Sequence, residues 1–303
     1  MKLVLLASIA ALALGQEIPY KHQPDHAGVR YGPYPRNVMD LWLAKSATPT
    51  PLVVSIHGGG FRGGDKTALN PLLLELLLDH GISVAAINYR FTQQAAAPQR
   101  APYPAPMLDG ARAIQYLRLH ATEWNLDKNR VAATGGSAGA GLSLWIAFHD
   151  DLADPKSEDP ILRESTRLAA AAVFGAQTTY DPRVVAKLIG EPAIHHGLFE
   201  PLAGLSKGDA YTPEAYKLLE DASAINHLSA GDPPVMLIYN EPDVDVPPDA
   251  KDGTAIHSPR FGKLLKQRMD ELGIACEFLP LTEPAGDPKV QHLLAEFLAA
   301  RLK

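Results

Sequence analysis

Residues 130–149 carry the tightest constraint on what this chain can fold into. An apolar run, Arg130–Thr134, leads into Gly135-Gly136-Ser137-Ala138-Gly139, and a helical pattern, Ala138–His149, follows with no spacer. A chain that passes from strand to helix within one turn needs positions without side chains to obstruct it, and the flanking glycines supply them. Such a turn holds the serine hydroxyl above the end of the strand, where the free amides of the first helical turn converge. Ser137 is therefore the first candidate nucleophile. The competing explanation is a glycine-rich turn with an incidental serine, and the strand and helix patterns on either side weaken it.

The same alternation extends along the chain. Strand patterns fall at Val38–Leu43, Leu52–His57, Ile82–Asn88, Ala169–Phe174, Val235–Tyr239 and Cys276–Leu281. Between them lie helical patterns at Asn70–His80, through Met107, Ala111, Ile114 and Leu117, at Pro259–Leu272 and at Val290–Leu302. Continuous apolar runs such as LVVSIH suit strands buried on both faces. Strand–helix alternation predicts an α/β fold, a mainly parallel sheet with helices on both faces. Ligands then bind beyond the carboxyl ends of the strands. Residues 176–230 break the pattern with several Pro and Gly and are expected to form a helical cap insertion over the catalytic face. Residues 241–257 form an acidic, proline-rich loop longer than a structural connection needs.

Composition narrows the classes further. The 303 residues carry a net charge of −6, which excludes the basic footprint of a nucleic-acid-binding protein. With 46% hydrophobic and 20% charged residues the chain can bury a core. Cys276 is the sole cysteine, so neither an internal disulfide nor a cysteine-based zinc site is available. Residues 1–15 place Lys2 ahead of a short apolar run that ends in Ala13 and Gly15, the pattern of a secretory signal peptide cut before Gln16. The run is shorter than the roughly 20 residues that span a bilayer. The expectation is a single domain over 16–303, secreted or periplasmic, with no membrane span in the mature protein.

A second glycine cluster, His57-Gly58-Gly59-Gly60-Phe61, also ends a strand. Ester hydrolysis passes through an oxyanion, and glycine-lined backbone can bring N–H groups close to it. A phosphate-binding loop is excluded, because Asp65 stands between Gly64 and Lys66, where that motif needs glycine directly before lysine. His57 itself reads as a structural histidine bonded to nearby backbone.

HGGGF, Asn88–Arg90 (NYR), Asp109 leading to Tyr116–Arg118 (YLR), and GGSAG together resemble the carboxylesterase branch of the α/β-hydrolase fold, which contains hormone-sensitive-lipase-like and feruloyl-esterase-like enzymes. The resemblance is dense from about residue 30 to 150. It implies Ser137 as nucleophile and the amides of Gly59, Gly60 and Ala138 as oxyanion donors. It also implies an acid in a D-x-x-V-P pattern, which fits Asp243 in Asp243-Val-Asp-Val-Pro247, with Asp245 in reserve. Here the chain departs from the pattern in one place. The family carries its histidine just after the last strand, and Thr282–Pro288 reads TEPAGDP, with Asp287 where the histidine is expected.

Two histidines follow Asp243. His292 projects to the solvent side of the last helix, opposite Val290, Leu294 and Phe297. His257 ends the long acidic loop just before Ser258-Pro259, a helix start, and so lies at the carboxyl edge of the sheet. His257 is the candidate base; a capping or packing role is its alternative. His195, His196 and Glu200 imitate a metal cluster, but no H-E-x-x-H is present, and neither metal nor cofactor is expected. The expected function is a serine hydrolase acting on a small-molecule ester, an acylated carbohydrate among the candidates. A non-catalytic binding protein on the same scaffold, without its catalytic histidine, is the rival.

Overall fold

A computed structural model describes residues 20–93, 101–247 and 255–303. The expected signal segment lies outside them. Eight strands form one sheet: β1 (His26–Arg30), β2 (Val38–Trp42), β3 (Thr50–Ile56), β4 (Ser83–Ile87), β5 (Leu126–Gly136), β6 (Ala170–Phe174), β7 (Val235–Tyr239) and β8 (Cys276–Pro280). Their order is β1-β2-β4-β3-β5-β6-β7-β8. β1–β2 and β2–β4 pair antiparallel and the other pairs are parallel. This is the α/β architecture expected from the alternation. β1 was not legible: it is a five-residue edge strand whose register breaks between His26 and Val29.

Side chains alternate along each central strand and so feed two cores. On one face Leu52, Val54 and Ile56 of β3 join the layer containing α2 (Ala105–Leu119) and α3 (Ala138–Phe148). On the other, Val53, Ala132, Ala172 and Met236 pack beneath α1 (Pro71–Asp79). The C-terminal helix Pro288–Arg301 lies beside α1 on this face. α1 starts where Asn70 accepts bonds from Leu72 N and Leu73 N, followed by proline at the first helical position.

After β6 the chain forms α4 (Pro182–Leu188), α5 (Glu191–Ile194), α6 (Phe199–Leu202) and α7 (Pro213–Ala222). α8 (Arg260–Glu271) precedes β8, and α9 is the C-terminal helix, Pro288–Arg301. α8 begins one residue later than the sequence suggests: Pro259 holds the cap position, and Ser258 Oγ accepts from Arg260 N at 3.3 Å.

Candidate active site

The carboxyl ends of β3, β5, β6 and β7 converge on Ser137. β5 ends at Gly136 and α3 begins at Ala138, so Ser137 alone makes the reversal, with φ 53° and ψ −122°. A non-glycine residue in this region costs about 1–3 kcal/mol, which the surroundings must offset. Ser137 N donates to Phe174 O at 2.9 Å, anchoring the turn to β6. Gly139 is required by close approach: a Cβ there would stand 2.1 Å from Ile56 O.

The turn after β3 packs directly against the serine. A Cβ on Gly58 would lie 2.8 Å from Gly136 O and 3.4 Å from Ser137 Cβ. Gly59 and Gly60 have φ of 107° and 60°, and their N–H groups have no acceptor among the described residues. Ala138, first in α3, likewise has no intrahelical acceptor for its N–H. The three amides named from the sequence are thus spare donors on the two turns that meet at Ser137.

His57 anchors the β3 turn. Its Nδ1 bonds Gly58 O at 2.7 Å, and its Nε2 lies 3.2 Å from Arg36 Nη2. Only one tautomer satisfies both: Nδ1–H donates to the carbonyl and bare Nε2 accepts from the guanidinium. The ring stacks on Tyr89 with centroids 4.4 Å apart. Burial, with a smaller contribution from Arg36, pushes its pKa down to about 4. His57 is held neutral in a structural role.

His257 Nε2 lies 2.9 Å from Ser137 Oγ. The imidazole arrives from the segment between β7 and α8, pinned by buried Ala255 and Ile256. It lies over Gly175, where a Cβ would stand 3.3 Å from His257 Cδ2. Gln177, fully buried, bridges the two sides: its Nε2 donates to Gly175 O at 3.0 Å and to Ile256 O at 2.9 Å. Sequence reasoning passed over Gln177. Its signal was its position, two residues beyond Gly175, the glycine that follows β6, in a loop after a parallel strand.

The structure does not bring Asp243 to this pair. One carboxylate oxygen accepts from Arg260 Nε at 3.0 Å and the other from Lys263 Nζ. These cations, Lys263 foremost, hold its carboxyl below the ordinary aspartate range. Asp245, almost fully exposed, accepts from Arg260 Nη2 at 2.8 Å. Among the described residues neither carboxylate bonds His257. The resemblance supplied a sequence pattern, but two cations on the following helix compete for both acids. His292 is exposed on α9, and Asp287 caps that helix, accepting from Lys289 N at 2.9 Å.

Asp109 also has a structural place. It is buried and receives Arg90 through Nη2 at 2.7 Å, Nε at 2.8 Å and the backbone N at 2.9 Å, tying the end of β4 to α2. Among the described residues no group of three or more His, Cys, Asp or Glu is placed to hold a metal. No described helix is long and apolar enough to cross a membrane. Ser137 and His257 border a cavity of about 450 Å³ on the α1/α9 face of the sheet.

Known proteins share this architecture. The chain is 30% identical over 232 residues to a probable carboxylic ester hydrolase, LipM, of Mycobacterium tuberculosis, covering 75% of this chain and 49% of that one. It is 26% identical over 223 residues to the esterase LipQ of the same organism, covering 72% and 49%. The chain therefore spans about half the length of these relatives. Among solved structures, a truncated carbohydrate esterase from gut microbiota matches with a TM-score of 0.70 at 18% identity, covering 95% of this chain and 98% of that one. An esterase from Thermogutta terrifontis with propionate bound gives 0.66 at 20% identity, covering 94% and 96%. The BD-FAE family model matches residues 39–253. With that match over more than two thirds of its length, on an eight-stranded α/β-hydrolase sheet, the chain belongs to the BD-FAE family.

Proposed function

We propose that this protein is a serine hydrolase that cleaves carboxylic esters through an acyl-serine intermediate. The observation that carries the proposal is the 2.9 Å contact between His257 Nε2 and Ser137 Oγ at the junction of two amide-bearing turns. Ser137 Oγ attacks the acyl carbon as its proton passes to His257 Nε2. The carbonyl oxygen, now an oxyanion, accepts from the N–H groups of Gly59, Gly60 and Ala138. Collapse breaks the bond to the alcohol oxygen, which takes the proton from His257 and leaves. Water then gives a proton to His257 and attacks the acyl-serine, and the returning proton restores the serine as the acid departs.

Asp243 stands in this scheme as a clamp on the start of α8, through Arg260 and Lys263, rather than as the group that orients His257. The substrates are small-molecule esters, acylated carbohydrates among them, in keeping with the carbohydrate esterase of like fold. Pre-steady-state hydrolysis of p-nitrophenyl acetate tests the proposal. A burst of nitrophenolate stoichiometric with the protein, absent in Ser137→Ala, is expected. A variant that keeps the wild-type rate would remove Ser137 from the mechanism.

A further inference from the structure

Every described arginine except Arg62 sets its guanidinium against an oxygen of the protein. Arg62 is exposed and has no side-chain hydrogen bond, ion pair or aromatic contact among the described residues. A solvated surface cation would look the same in those respects. Its place in the fold distinguishes it.

The backbone that carries Arg62 is fixed on both sides. Phe61, with φ 56°, is fully buried and stands edge-on to Tyr89 and Tyr180. Its carbonyl accepts from Thr92 N at 2.8 Å, and Arg62 N donates to Gly59 O at 3.0 Å. The guanidinium then folds back over the glycine turn. A Cβ on Gly60 would stand 3.6 Å from Arg62 Nε and 3.7 Å from Nη2, and one on Gly197, between α5 and α6, 3.0 Å from Nη1. The free cation thus lies between the turn that offers oxyanion donors and the segment that follows β6. An oxyanion held about 3 Å from Gly60 N is, at the most, about 9 Å from Arg62 Nε.

We infer that Arg62 is a specificity residue that binds a carboxylate carried by the acyl group, so that half-esters of short dicarboxylic acids are preferred substrates. The inference rests on the Ser137–His257 mechanism above. The alcohol oxygen takes its proton from His257 Nε2, which keeps the alcohol on the His257 side of the serine. The acyl chain is left to extend past the oxyanion, toward Gly60 and Arg62. A five-carbon diacid has four C–C bonds of about 1.5 Å each between its two carboxyl carbons, enough for the distal carboxylate to meet the guanidinium. A guanidinium presents a planar fork of N–H donors that matches both oxygens of a carboxylate, a geometry that an amide or an alkyl end cannot match. The acid nearest in sequence does not compete for it: Asp65 accepts from Asn88 Nδ2 at 2.7 Å and from Thr67 N at 3.1 Å.

Monomethyl glutarate and methyl glutaramate differ only in a distal carboxylate or amide, and methanol release from the pair tests the assignment. Wild type is expected to favour the acid by about tenfold in kcat/KM, and by less as salt is added. Arg62→Gln should bring the acid-to-amide ratio to about one, while Arg62→Lys, which keeps the charge without the fork, should keep part of the preference. No preference in wild type, or one that survives in Arg62→Gln, would overturn the assignment. Acetoxyacetate against acetoxyacetamide places the same charge on the alcohol instead. A preference for the acid in that pair alone, lost in Arg62→Gln, would put the cation on the alcohol side and overturn the acyl assignment. A wild type that gives a Ser137-dependent burst with p-nitrophenyl acetate but no glutarate preference would overturn it and leave the Ser137 mechanism standing. One that cleaves none of these esters would overturn both.

Discussion

Replacing Gln177 by leucine removes the bridge that holds His257 over Gly175. The side chain is fully buried, and its Nε2 serves two carbonyls, Gly175 O and Ile256 O. A buried polar group deprived of its partner costs about 1–3 kcal/mol. Two such carbonyls set the upper range, and removal of Oε1, which has no partner among the described residues, returns part of it. The net loss is about 2–4 kcal/mol, or roughly 3–6 °C in Tm for a chain of this size. The larger effect falls on rate. Ile256 directly precedes His257, so freeing its carbonyl loosens the imidazole at the 2.9 Å contact with Ser137, and a displacement near 1 Å costs about 100-fold. Calorimetry and steady-state kinetics on an aryl acetate separate the two, with kcat falling and KM holding. If Tm drops as expected while kcat stays at the wild-type value, His257 keeps its place without Gln177 and the positioning role is refuted.

Three further outcomes are expected. His57, with a folded pKa of about 4 against an ordinary 6.5, binds its proton more readily unfolded, so it costs stability as pH falls from about 6.5 toward 4, by about 3 kcal/mol in all. Urea unfolding of His57→Gln should show a shallower loss than wild type across that window, and parallel curves would contradict the assignment. Asp243→Asn should slow ester hydrolysis less than tenfold, since its carboxylate serves Arg260 and Lys263; a loss near 10⁴, as for a triad acid, would return it to the catalytic group. Export with cleavage between Gly15 and Gln16 should appear as a mature mass beginning at Gln16 in material from the native host, and intact Met1 on cytoplasmic protein would contradict it.

What the sequence disclosed depended on how local each determinant was. The Ser137 turn was legible because strand, glycines and helix are contiguous, and because the glycine at 139 answers a collision with Ile56 O in the neighbouring strand. The place of His257 could be argued from the side of the sheet on which its loop starts. The carboxylates could not be assigned that way: Asp243 and Asp245 are decided by Arg260 and Lys263, whose reach toward the loop depends on how α8 is set. Gln177 was hidden for a similar reason, since one of its two acceptors, Ile256 O, lies 79 residues away. β1 escaped because a short edge strand with an interrupted register leaves little alternation to read.

Labelling by a fluorophosphonate, followed by peptide mass spectrometry, tests the central claim most directly, because the probe reacts only with an activated serine. The expected result is one adduct on the peptide containing Ser137, lost in Ser137→Ala and formed orders of magnitude more slowly in His257→Ala, with His292→Ala labelling at the wild-type rate. No adduct, an adduct on another serine, or equal rates in wild type and His257→Ala would contradict the account.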